Sequence, residues 1–165
     1  MELFNDRLPF NRNQIALSVL LAEHGDESPP VLAQPLTGFL DTGFAGEAFG
    51  WRHHLELAGL DPAIHLFHRT ETFRATLHAD KPHVVPVRKA EIWLLSNLPR
   101  WHGAPFRLEL MQGVAFRDES RVAGMSKLPR LIIGKTAFAN VGTRAELDFG
   151  RGECSIWTPQ APTVV

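Results

Sequence analysis

Ile15, Leu17, Val19 and Leu21 alternate with smaller or more polar neighbours, a period of two that predicts a β-strand with one face inward. Residues 25–30 (Gly-Asp-Glu-Ser-Pro-Pro) break this pattern and read as a loop. A second extended segment covers residues 31–40, interrupted at Pro35 and Gly38 and ending in the apolar pair Phe39-Leu40. The stretch from Asp41 to Gly46 holds too much glycine for a helix interior and reads as a loop. Trp51, Leu55 and Ala58 fall at i, i+4 and i+7, which predicts a helix over residues 51–58, closed by Gly59 and Pro62.

Further along, residues 72–77 and 83–95 read as paired strands about the turn Ala79-Asp80-Lys81-Pro82. Residues 96–105 read as a surface connection in which Trp101 is expected to be exposed. Alternation returns over residues 106–116, with a bend at Gly113, and residues 117–129 form a polar loop. Leu131-Ile132-Ile133 predicts a short buried strand that turns at Gly134 into a helix over residues 135–140, stopped by Gly142. Residues 144–149 and 153–157 predict a closing hairpin around Gly150-Arg151-Gly152. Many short strands with two short helices predict an all-β fold, a closed or folded-over barrel.

A length of 165 residues bounds this to one domain. Basic residues number 17 against 18 acidic ones, so no basic surplus exists to hold a phosphate backbone, and no nucleic-acid partner is expected. The longest apolar run, residues 15–22 with Ser18 inside it, is far short of the roughly 20 residues of a spanning helix. No membrane partner is expected, and the reading is a cytoplasmic protein. Cys154 is the single cysteine, which excludes an internal disulfide and a multi-cysteine zinc site and reads as structural. Eight histidines include the spacing His65-x-x-His68, but no acid supports it in register, so neither a metal nor another cofactor is expected. Neither G-x-S-x-G nor a phosphate-binding P-loop occurs.

The informative segment is Phe39-Leu40-Asp41-Thr42-Gly43-Phe44-Ala45-Gly46. An apolar strand delivers one carboxylate into a tight turn, followed by a hydroxyl and a glycine. Gly43 lets the main chain fold close, so that backbone N–H groups can point at the carboxylate. Two such carboxylates brought together share a proton, one serving as base on a water and the other as acid on a carbonyl. The triplet alone reads first as a turn in which Asp41 caps a local N–H.

With Leu131-Ile132-Ile133-Gly134 following 90 residues later, the pattern resembles the retropepsin-like aspartic proteases, especially the single-domain bacterial members. In that family a hydrophobic strand ends in D-T-G-F-x-G, and a later apolar-apolar-Gly enters a helix that buttresses the active-site turn. Leu147-Asp148-Phe149 is similar to the family's closing pattern. The resemblance implies one retropepsin-like lobe over residues 14–158, with an N-terminal extension at 1–13 and a tail at 159–165. It implies that Asp41 is the catalytic aspartate, that Thr42 bonds across a two-fold axis, and that Gly43 lies beneath the carboxylate. It also implies that the hairpin tip at Ala79, Asp80, Lys81, Pro82 and His83 is the flap over a peptide or protein substrate. The chain holds one D-[ST]-G, so a dyad of this kind requires a homodimer. The family's glycine-containing flap tip is replaced here by Asp80-Lys81-Pro82-His83. That departure favours a second reading, a catalytically inactive dimerisation or peptide-binding module on the same β fold.

Overall fold

A computed structural model describes residues 1–11, 14–25, 28–30, 33–63, 67–73, 83–101, 104–117 and 130–159. Among the described residues, twelve strands and two short α-helices follow in chain order. The first five elements are β1 (Glu2–Asn11), β2 (Gln14–Glu23), β3 (Leu36–Asp41), β4 (Ala48–Trp51) and α1 (Arg52–Leu57). The middle of the chain supplies β5 (Arg69–Phe73), β6 (His83–Arg88), β7 (Ala90–Leu94), β8 (Phe106–Leu108) and β9 (Val114–Arg117). The chain ends in β10 (Leu131–Gly134), α2 (Lys135–Asn140), β11 (Arg144–Asp148) and β12 (Glu153–Thr158).

The organising strand is β2. Its apolar residues at alternate positions, Ile15, Leu17, Val19 and Leu21, are all buried in the main core. One edge pairs with β3 from Gln14↔Asp41 to Val19↔Leu36, and the other pairs first with β1 and then with β7. Residues 2–11, set apart by sequence as part of an extension, thus form a strand held between β12 and β2. The sheet runs β11-β12-β1-β2-β3-β10-β4-β9-β6-β5, with β7 and β8 branching from β2.

The all-β expectation with two short helices holds. Closure does not: the path ends at β11 and β5, and no ladder joins them among the described residues. β11 is mostly exposed and carries charge at Arg144, Glu146 and Asp148, as suits a strand left at a sheet edge.

Three further expectations are corrected. The single strand predicted over residues 83–95 is two, because the chain changes partners at Lys89: β6 pairs with β5 and β9, whereas β7 pairs with β2 and β8. Arg88 marks that corner, buried, with its guanidinium bonded to Glu23 and to the Asp61 carbonyl. Trp101 is only 6% exposed. Its indole N–H donates to the Leu3 carbonyl at 3.0 Å and its ring packs 6.0 Å from Phe4, so β1 covers it. The alternating stretch 106–116 divides into β8 and β9 around a turn at 109–113. Gly113 has φ +94°, and a Cβ there would sit 2.5 Å from the Arg88 carbonyl oxygen, so both the turn and the close approach require glycine.

Candidate active site at Asp41

Strands β3 and β4 are consecutive in sequence yet are separated in space by β10. β10 runs parallel to β3 (Leu131↔Gly38 through Gly134↔Asp41) and antiparallel to β4 (Ile132↔Phe49). The segment from Thr42 to Glu47 must therefore arch over the end of β10. Gly134 lies beneath that arch, and its N–H donates to the Glu47 carbonyl at 2.8 Å. A Cβ on Gly134 would stand 1.9 Å from the Gly46 carbonyl oxygen, which no side chain can accommodate. The apolar-apolar-Gly signal thus has a physical cause: Ile133 is buried in the core, and Gly134 is the point where two backbones touch.

Asp41 is half-buried at the last position of β3. Its Oδ1 accepts the Gly43 N–H at 2.9 Å, and its Oδ2 accepts the Gln14 side-chain amide at 3.1 Å. The Phe44 N–H donates to the Asp41 carbonyl at 3.2 Å, which tightens the turn. Thr42 and Gly43 are exposed at its tip, and the Thr42 hydroxyl makes no hydrogen bond among the described residues. Thus Asp41, Thr42 and Gly43 stand together, with the carboxylate held at both oxygens and the turn open to solvent.

On the Asp41 side of the sheet, an apolar row crosses four strands. Ala16, Phe39, Ile132 and Phe49 are paired in succession from β2 to β4, and each is half-buried. Phe39 shares its face with Asp41, two residues on. Phe44 from the arch packs edge-on against Phe49 with ring centres 6.3 Å apart. The guanidinium of Arg130 lies over the Phe39 ring at 4.6 Å and donates to the Gln14 side-chain oxygen Oε1.

Of the tip residues singled out as a flap, Ala79, Asp80, Lys81 and Pro82 lie outside the described residues. His83 opens β6 and pairs with Phe73 of β5, so the base of an antiparallel hairpin stands where a paired strand was expected. His65 also lies outside the described residues. Cys154 is buried in β12, and desolvation pushes its thiol up to about 11.

Sequence reasoning gives no role to Gln14, Arg130 or Glu47. Glu47 is 4% exposed. Its Oε1 accepts the Met111 N–H at 2.9 Å and the Asn140 side-chain amide at 2.9 Å, and its Oε2 accepts the N–H groups of Gln112 at 2.6 Å and Gly113 at 3.2 Å. A carboxylate of this kind ties the arch, the turn before β9 and the end of α2 to one another. The available signal was weak: an acid immediately before the apolar Ala48-Phe49-Gly50-Trp51 must either stay at the surface or find donors. Those donors are more than 60 residues away.

No known protein family, curated protein or solved structure matches the chain.

Proposed function

We propose that the chain is one lobe of a retropepsin-like aspartic endopeptidase, with a catalytic dyad made of Asp41 from each of two copies. The observation that carries this reading is the setting of Asp41. Its carboxylate ends a buried strand, is bonded at each oxygen by a fixed donor, and sits beside the exposed Thr42-Gly43 turn and an apolar row. A turn that merely caps itself needs the Gly43 bond alone. It has no need of a second strand and an arched loop built around a glycine contact.

The chemistry follows from two carboxylates sharing one proton. The ionised member takes a proton from a bound water as that water attacks the peptide carbonyl carbon, and the protonated member donates to the carbonyl oxygen. Collapse of the tetrahedral intermediate breaks the C–N bond: the aspartate that took the water's proton gives it to the leaving amine, and the other takes back its proton as the C=O bond reforms. The apolar row offers a surface for the side chains of an extended peptide.

Asp41→Asn tests the reading directly, because it keeps size and shape while removing the base. Hydrolysis across a broad peptide library should fall to background with melting temperature and assembly retained, and the wild-type rate should show a bell-shaped acidic pH profile. Full activity in Asp41→Asn would end the aspartic mechanism. A wild type that cleaves nothing between pH 3 and 8 would put a non-catalytic peptide-binding module in its place.

A further inference from the structure

We infer that Gln14 is a positioning residue for Asp41, and that Arg130 sets which end of the Gln14 amide faces the carboxylate. The catalytic meaning of this relay rests on the peptidase reading, whereas its geometry stands apart from it. Gln14 and Asp41 are directly opposed in the β2–β3 ladder, so their side chains leave the same face of the sheet. The Gln14 amide nitrogen reaches Asp41 Oδ2 at 3.1 Å while the Gly43 N–H holds Oδ1 at 2.9 Å. Donors on both sides fix the rotation of the carboxylate before any substrate arrives.

A glutamine amide has a donor end and an acceptor end of nearly the same shape, so something must choose between them. Arg130 chooses. A guanidinium only donates, and it is bonded to the Gln14 side-chain oxygen Oε1, which leaves the NH2 group to face Asp41. The reversed amide would set oxygen against carboxylate and NH2 against guanidinium, two repulsive pairings at once. Arg130 is itself held by the face of Phe39, at 4.6 Å, on the strand that ends at Asp41. It immediately precedes β10, the strand whose Gly134 supports the arch. The relay therefore links β10, β3 and β2 at one carboxylate, and the hydrogen-bonded path from Arg130 to Asp41 runs through Gln14.

The test uses the full chain with Gln14→Met, Arg130→Met and the double variant. Met matches Gln14 in length, and Arg130 is exposed, so folding should survive both substitutions, as melting curves will check. Each single variant should lower kcat about 10–100-fold with KM within about twofold, because a misplaced reacting group costs rate rather than binding. Adding Arg130→Met to Gln14→Met should change kcat no further. The Gln14 side-chain amide signals in proton–nitrogen NMR spectra should shift in both Arg130→Met and Asp41→Asn. Multiplying effects of the two substitutions, an unchanged kcat in Gln14→Met, or Gln14 amide signals indifferent to Arg130→Met would each overturn the relay. Should the wild type hydrolyse no peptide while the Gln14 signals still respond to both substitutions, the peptidase reading falls and the relay that orients Asp41 stands.

Discussion

Glu47 gathers four donors from segments that share no local sequence, so its replacement should be felt well beyond its own position. In Glu47→Gln one carboxylate oxygen becomes an NH2 group that faces two N–H donors whichever way the amide turns. Setting two buried or part-buried donors against an NH2 group costs about 2–3 kcal/mol. For a chain of this size that is roughly a 4–12 °C fall in melting temperature. A loss under about 1 °C by calorimetry would show that the cluster does not bear on stability. Cys154 tests burial in another way. Its thiol, with an ordinary value of 9.0, is pushed up to about 11 by desolvation, so the folded state disfavours the thiolate. The unfolded chain ionises first as pH rises, which draws the equilibrium towards unfolding. The stability that the neutral thiol contributes is therefore whole below pH 9.0 and is lost between there and about 11. At pH 8 the native thiol should react with a disulfide reagent at least about a hundredfold more slowly than the denatured one. Equal rates would place Cys154 at the surface.

At the scale of elements, β10 is the most exposed to attack by mutation, because its four residues lie between β3 and β4 and its end passes beneath the arch. Ile133→Asp buries an unpaired carboxylate at a fully enclosed position, a cost of several kcal/mol and comparable to the stability of a whole domain. Gly134→Ala adds one methyl against a carbonyl oxygen and should also leave little folded protein, by circular dichroism and expression yield. A native melting curve for both variants would mean that β10 is misplaced. This strand was legible in sequence because an apolar triplet running into glycine leaves few alternatives, and β2, β3, α2 and the β11–β12 hairpin were legible through period-two alternation or short-range turn residues. What stayed hidden depends on partners distant in sequence. Trp101 sits among Pro and Gly, which suggests a surface loop, yet Leu3 and Phe4 of β1 bury it. The division at Lys89 follows from which neighbours β6 and β7 find, and no local residue announces it. Gln14 and Arg130 were likewise unremarkable beside Asp41, since 27 and 89 residues of chain separate them from it.

For the molecule as a whole, one D-[ST]-G aspartate per chain is the decisive count under the peptidase reading. A lone Asp41 cannot be the ionised base and the protonated acid in the same step, so under this mechanism activity requires a second copy. The structure leaves the materials for that meeting unspent. Thr42 and Gly43 are exposed at the tip of the turn, and the Thr42 hydroxyl makes no hydrogen bond among the described residues. Across a two-fold axis each Thr42 hydroxyl would make one hydrogen bond to the partner's turn. Thr42→Val keeps the shape and removes both bonds. It should raise the dimer dissociation constant about 5–30-fold, because two equivalent hydrogen bonds of about 0.5–1 kcal/mol each are lost together. Light scattering over a dilution series reads the constant, and specific activity measured on the same samples should fall as dimer gives way to monomer. Both curves should share one midpoint in the wild type and move together in the variant. Specific activity that stays constant as the protein dilutes into monomer would sever the dyad from the dimer and, with it, the role assigned to Asp41.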